Sequence, residues 1–113
     1  MIVRNVNQKE VLQSLYRAHG GGEAVMLFDS SLLQGMLFLA QGILEQGKTI
    51  EAHTDPYEEI YYILEGEGIM MVEGEKRTVK KGDAIWIPYG AVHAMENDAE
   101  KDCVVLIQAA LPR

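Results

Sequence analysis

A chain of 113 residues with 48% hydrophobic and 24% charged residues has the composition of one folded domain with a single core. Its net charge of −7 argues against nucleic acids and anionic membranes as partners, because binding to phosphate requires clustered Lys and Arg. The single cysteine cannot form an internal disulfide, and the N-terminal residues lack the apolar stretch of a signal peptide. We therefore expect a cytoplasmic protein.

The first predicted element is a short N-terminal helix within residues 8–19. Asn7 is a good N-cap, and Glu10 stands where a capping box would place it. His19 falls in the last turn, where we interpret it as a surface residue at a helix end. The apolar stripe that predicts the helix consists of Val11, Leu12, Leu15 and Tyr16.

From residue 23 onward, short apolar runs alternate with Gly, Asp and Ser, which is typical of β-strands joined by tight turns. Eleven glycines in so short a chain support an all-β sandwich or barrel. We expect one domain, with residues 1–22 as an arm and helix that pack on a β-barrel of residues 23–113. The predicted strands are Ala24–Phe28, Leu32–Leu44, Thr49–His53, Glu59–Glu65, Ile69–Val72, Lys76–Lys80, Ala84–Ile87, Val92–Glu96 and Cys103–Leu111.

Two of the runs, Leu32–Ala40 and Cys103–Leu111, stay apolar where a surface strand would alternate with polar residues. Strands that are buried on both faces need cover from another layer. A second copy of the chain is the simplest cover, and we therefore predict a homodimer.

Residues 47–66 carry the first stretch with chemistry. His53 and Asp55 alternate onto one face of a strand, with Cα atoms roughly 6.5–7 Å apart, and Glu59 opens the returning strand. An imidazole and two carboxylates aimed into one cleft form a metal-ligand set that still needs a fourth group. His93 follows a stiff Pro-x-Gly corner and can meet this set only if the two stretches lie side by side.

In both stretches the sequence resembles the cupin family. The second family motif is matched at each defined position, by Gly82, Pro88, Gly90, His93 and Asn97. The first motif is matched by Gly47, His53, Glu59 and Gly66, whereas position 55, usually His in the family, is Asp. The resemblance implies an all-β, cupin-type jelly-roll β-barrel, usually dimeric. It also implies a divalent metal ion (Fe, Mn, Ni or Zn) held by His53, Glu59 and His93, with position 55 as the fourth ligand.

The departure at Asp55 leaves three interpretations open. Asp55 can ligate the metal directly, which gives two imidazoles and two carboxylates and favours harder ions such as Fe(II) or Mn(II) over copper. It can instead act through water or orient His53. Alternatively, it only shapes the Asp-Pro turn. In the last case His53, Glu59 and His93 still form a ligand triad of two His and one carboxylate with open positions.

The resemblance and the residues together predict a small metalloprotein that acts on a small oxygenated organic substrate, as a dioxygenase, isomerase or lyase. In that case Glu59 or Asp55 is the candidate catalytic base. The alternative is a non-catalytic module that binds a small, sugar-like ligand, with or without metal. Residues that could line the pocket are Tyr61, Met95 and Trp86, although core positions would also explain them.

Overall fold

The computed structural model describes residues 1–112, which form two antiparallel β-sheets after one short helix. The all-β class and the N-terminal helix are thus confirmed. No helix in residues 1–112 is long and apolar enough to cross a membrane. The elements are α1 (Lys9–Leu12), β1 (Tyr16–Ala18), β2 (Gly22–Phe28), β3 (Met36–Leu44), β4 (Thr49–His53), β5 (Glu59–Glu65), β6 (Glu67–Val72), β7 (Glu75–Lys80), β8 (Ala84–Ile87), β9 (His93–Glu96) and β10 (Cys103–Ala110).

The two sheets face each other across the core. Six strands form the first sheet in the order β1-β2-β3-β10-β5-β8, and four form the second in the order β4-β9-β6-β7. Successive side chains of a strand point to opposite faces of the sheet, so every second side chain points toward the core. Buried and exposed residues therefore alternate along most of β5. The buried cluster between the sheets contains Leu44, Ile50, Tyr61, Ile63, Met70, Val79, Ile87, Ala91, Met95, Cys103 and Val105.

Strand pairing brings the two predicted site stretches together. In the four-stranded sheet β4 pairs with β9, and His53 lies directly opposite His93. In the facing sheet Glu59 begins β5, which lies between β10 and β8. The loop after β4 is tied to the corner before β9, because the Gly90 N–H donates to the Asp55 carbonyl at 3.2 Å. These contacts place both stretches at one end of the molecule.

The extent predicted for the N-terminal helix is wrong. The helix has four residues, and its N-cap is Gln8, without a side-chain cap bond, rather than Asn7. The Ser14 hydroxyl donates to the Val11 carbonyl at 2.6 Å and accepts from the Met26 N–H at 2.8 Å, so the chain turns away toward β2. Residues 16–18 then pair with β2 as β1. Sheet pairing therefore overrides the helical stripe.

The apolar run from Leu32 is also shorter as a strand than predicted. The N–H groups of Leu32 and Leu33 donate to the Asp29 carbonyl, which makes a turn there, and β3 begins only at Met36. Leu32 and Met36 are 38% and 41% exposed. These exposures belong to the single chain, so the cover that we assigned to a second copy of the chain stays a prediction.

Candidate metal centre

The three histidines of the chain lie in one cluster with Asp55 and Glu59. The ligand atoms of Asp55, Glu59 and His93 lie within 4.8 Å of one another, and so do those of His19, His53 and Asp55. Asp55 belongs to both groups. The four ligands expected from the sequence thus fall into two groups that share Asp55, and His19 joins the group of His53.

Distances within the cluster are short. The Asp55 Oδ2 atom lies 3.3 Å from the His53 Nε2 atom and 3.5 Å from the His93 Nε2 atom. The Glu59 Oε2 atom lies 3.3 Å from the same His93 nitrogen. Asp55 thus reaches both imidazoles with its side chain, in addition to forming the turn after β4.

Hydrogen bonds to the backbone orient two of the imidazoles. The Nδ1 atom of His53 lies 2.7 Å from the Glu51 carbonyl oxygen, and that of His93 lies 2.9 Å from the Ala91 carbonyl oxygen. A carbonyl can only accept, so each Nδ1 atom carries the proton. In the neutral rings the Nε2 lone pairs therefore point into the cluster, as they must in a metal-binding histidine.

The cluster leaves buried polar atoms without a partner. Among the described residues, Glu59 Oε2 and His93 Nε2 are the buried side-chain atoms that lack a hydrogen bond. A lone pair that faces a carboxylate is repulsive unless a proton or a cation lies between them. The donor set therefore fits a cation.

The spacing of the atoms fits as well. Ligands held by bonds of about 2.1 Å lie roughly 3.0 Å apart around an octahedral ion and roughly 3.4 Å apart around a tetrahedral one. The three contacts of 3.3, 3.5 and 3.3 Å lie close to this range. A divalent ion would also neutralise the two carboxylates, giving an electroneutral set with two neutral imidazoles.

Burial and neighbouring charges perturb the acid–base groups of the cluster. Burial raises the pKa of Glu59, and the Asp55 carboxylate raises it further. Burial lowers the pKa of His93, but the Glu59 and Asp55 carboxylates and the Ala91 carbonyl outweigh it, so the net pKa is raised. Burial also lowers the pKa of His53, to a net value below the ordinary one. His93 is therefore the imidazole that holds a proton most readily when no cation is bound.

Three tyrosines lie near enough to the carboxylates to feel their charges. Tyr61 is buried and meets the His93 ring edge-on, with ring centroids 6.1 Å apart. Burial raises the pKa of Tyr16, Tyr57 and Tyr61, and the Asp55 and Glu59 charges raise all three further. These phenols stay protonated at neutral pH and can donate hydrogen bonds to a bound anion.

The other residues predicted near the site fall in different places. Met95 is 1% exposed and belongs to the core cluster beside the site. Trp86 is 61% exposed, and it pairs with Ile60 on the sheet face opposite to Glu59, so it does not lie beside the ligands. The amide of Asn97 is buried and donates to the Leu44 and Lys101 carbonyls, which fits the strand-end role expected for it.

His19 is the residue that the sequence interpretation missed. Its ring stacks on the His53 ring, with centroids 3.4 Å apart and an angle of 10° between the planes. His19 precedes Gly20 at the turn between β1 and β2, so it is not at a helix end. The run of three glycines after His19 could have indicated a hairpin turn, but nothing local shows that the hairpin meets β4.

Comparisons with known proteins agree with this arrangement. The family model described as cupin domain matches residues 41–108. An uncharacterised protein of Methanocaldococcus jannaschii is 50% identical over 60 residues, which cover 52% of this chain and 48% of that protein. An oxalate-binding protein of Thermotoga maritima is 37% identical over 60 residues, covering 52% of this chain and 50% of that protein. The chain thus spans about half the length of these curated relatives.

Longer matches come from two further proteins. A tetracenomycin polyketide synthase protein of Streptomyces glaucescens is 27% identical over 103 residues, covering 88% of this chain and 69% of that protein. The crystal structure of a predicted oxalate decarboxylase of Thermotoga maritima has a TM-score of 0.80 at 28% identity, covering 98% of this chain and 99% of that one. The similarity therefore extends over nearly the whole fold.

Proposed function

The chain belongs to the cupin family, and on that premise we propose that it is a metalloprotein whose ion is held by His53, Asp55, Glu59 and His93. The observation that carries this proposal is the pair of buried atoms without a hydrogen bond, Glu59 Oε2 and His93 Nε2, which point at each other. A bound cation would satisfy both atoms.

The four side chains have distinct roles in this proposal. His53 and His93 supply neutral nitrogens because their Nδ1 protons are held by backbone carbonyls. Glu59 and Asp55 supply the negative charge that a divalent ion requires. The two carboxylates favour a harder ion such as Fe(II) or Mn(II), while Ni and Zn remain compatible with the donor set. When bound, the ion would supply Lewis acidity or a site for O₂ activation.

The substrate class follows from the groups around the ion. The charges of Asp55 and Glu59 contribute to the raised pKa values of Tyr16, Tyr57 and Tyr61, so protonated hydroxyl groups lie near the carboxylates that would hold the ion. Two relatives are named for oxalate and one for polyketide synthesis, and these molecules are rich in oxygen. We propose a small oxygenated acid or enol as substrate and a reaction of the dioxygenase, isomerase or lyase type. Asp55 or Glu59 would serve as the base.

The test is metal analysis of protein purified without added metal. The wild type should carry close to one equivalent of a divalent ion, and His93→Ala should carry far less. Glu65→Gln is the matched control, because that glutamate is exposed and forms an ion pair with Lys81, and this variant should retain the metal. Wild-type protein that takes up no divalent ion, even when ions are supplied, would refute the metal proposal.

A non-catalytic binding role is the second candidate. The name of the oxalate-binding relative favours it, since the same set of residues could hold an acid without transforming it. Calorimetric titration of the metal-loaded protein with oxalate and with hydroxy acids would detect binding. Product analysis of the same mixtures by mass spectrometry, in air and without oxygen, separates a binder from an enzyme.

A further inference from the structure

His19 lies outside the stretches that match the family, yet its side chain lies against the candidate metal centre. Its ring is in face-to-face contact with His53, with centroids 3.4 Å apart. One of its ligand atoms lies within 4.8 Å of those of His53 and Asp55. Since the chain has three histidines, its whole complement of imidazole is gathered at one point.

The backbone holds His19 at this point from both sides. The Glu51 N–H donates to the His19 carbonyl at 2.7 Å, and the Gly21 N–H donates to the Thr49 carbonyl at 2.8 Å. A β-bridge also joins Gly20 to β4. A Cβ atom on Gly21 would lie 2.5 Å from the Thr49 oxygen, so only glycine allows the hairpin to approach β4 this closely.

The conformation of His19 itself is costly. Its φ is +49°, in the left-handed region that few residues other than glycine adopt, although Asn, Asp and His do so more often than the rest. Glycine occupies the following positions, yet an imidazole occupies this one. Such strain persists where the surrounding structure over-determines it, and it is concentrated at functional sites.

We propose that His19 is a fifth protein ligand of the metal, carried to the site by the β1–β2 hairpin. This inference rests on the proposed metal site. His19 would add a third imidazole beside His53 and Asp55. With His19 bound, fewer positions on the ion would be open to a substrate than the four-ligand set leaves.

The experiment is NMR of protein labelled with ¹⁵N-histidine, recorded through the carbon-bound ring protons before and after addition of zinc. These protons do not exchange with water, so the exposed ring of His19 stays visible. The expected result is that one nitrogen of each of the three rings moves to the chemical shift of a metal-bound nitrogen. His19→Asn identifies the third set of signals by removing it.

A competition titration with a chromophoric chelator provides a second readout. His19→Asn should weaken zinc affinity by about ten- to hundredfold, because Asn tolerates a positive φ but lacks the imidazole. Arg17→Ala is the matched control, since this exposed residue lies in the same hairpin, and it should leave the affinity unchanged.

The outcomes separate the two proposals. If the His53 and His93 nitrogens shift and the His19 nitrogen does not, the fifth ligand is refuted while the metal site stands. If no ring responds to zinc or to Mn(II), both proposals fail. Equal weakening by His19→Asn and Arg17→Ala would show that the hairpin acts only as a structural support, which also overturns the inference.

Discussion

Replacement of Glu59 by Gln should have opposite effects on stability with and without metal. In the metal-free protein, the Glu59 carboxylate is 3% exposed, and its Oε2 atom faces His93 without a hydrogen bond. A buried charged or polar group without a partner costs about 1–3 kcal/mol. Above the pKa of His93 no proton compensates the carboxylate, so the neutral amide should recover about that amount. For a chain of this length each kcal/mol raises Tm by roughly 4 °C.

With metal the order of stability should reverse. An ion present at 1,000 times its Kd stabilises the folded state by about 4.1 kcal/mol, which exceeds the cost of about 1–3 kcal/mol that the variant removes. The wild type should therefore melt roughly 16 °C higher with the ion than without it. The variant lacks one charged ligand, and its Tm should hardly respond to the ion. Both comparisons are made at about pH 9, the metal-free one after chelation.

Thermal unfolding followed by circular dichroism gives the Tm of the wild type and of the variant, each with and without metal. Glu65→Gln is again the matched control and should follow the wild type in both conditions, because Glu65 is an exposed strand residue. The reasoning is refuted if Glu59→Gln lowers the stability of the metal-free protein at about pH 9. It is also refuted if wild type and variant gain the same Tm from the ion.

Four further predictions follow from the structure. In metal-free protein the raised pKa of His93 means that protonation of this ring stabilises the folded state. This contribution to the unfolding free energy is fully present below the ordinary pKa of 6.5, and it is lost as the pH rises through the folded-state pKa. The unfolding free energy from urea titration should therefore fall as the pH rises above 6.5, and a rise there would contradict this. The Asp55→His variant should still bind a metal ion. When Mn(II) and Zn(II) compete for the site, the ratio bound should shift toward Zn(II) by roughly tenfold or more. An unchanged ratio would place Asp55 outside the ligand set. Gly66→Ala should cost about 2–4 kcal/mol in chemical unfolding, because φ is +81° and the new Cβ would lie 2.5 Å from a carbonyl oxygen. The control Gly74→Ala shares the positive φ but has open space and should cost about 1 kcal/mol. We expect light scattering at micromolar concentration to give a dimer, and a monomeric wild type would exclude this assembly.

Local patterns were sufficient to predict the bounds of several strands. The bounds of β4, β5 and β8 agree with the prediction residue for residue, and β9 begins one residue later than predicted. These strands are short and lie near a glycine or proline, and Gly47, Gly66, Gly82 and Gly90 all have positive φ. Turn chemistry and period-two alternation are encoded within a few residues, so the sequence alone carries them.

The parts that the sequence did not predict depend on pairing that a helical or strand pattern alone does not show. The stripe from Val11 to Tyr16 fits a helix, but residues 16–18 pair with β2 in a hairpin. The position of His19 depends on backbone bonds from Glu51 to His19 and from Gly21 to Thr49. These last two bonds join segments about 30 residues apart, and no local pattern records them. The position of Trp86 required the register of β8 against β5, which alternation alone does not give.

The order of the strands also determines where this protein is open to self-association through its backbone. Strands β7 and β8 each lie at the edge of a sheet, and unpaired edge groups can add a strand from another molecule. Strand β7 carries Lys76, Arg77 and Lys80, and charges of this kind repel a second copy. Strand β8 is apolar but has four residues, Ala84–Ile87, and Pro88 follows it with no N–H to donate. The β7 edge is thus protected from aggregation by its charges, and the β8 edge by its short length and the proline that follows it.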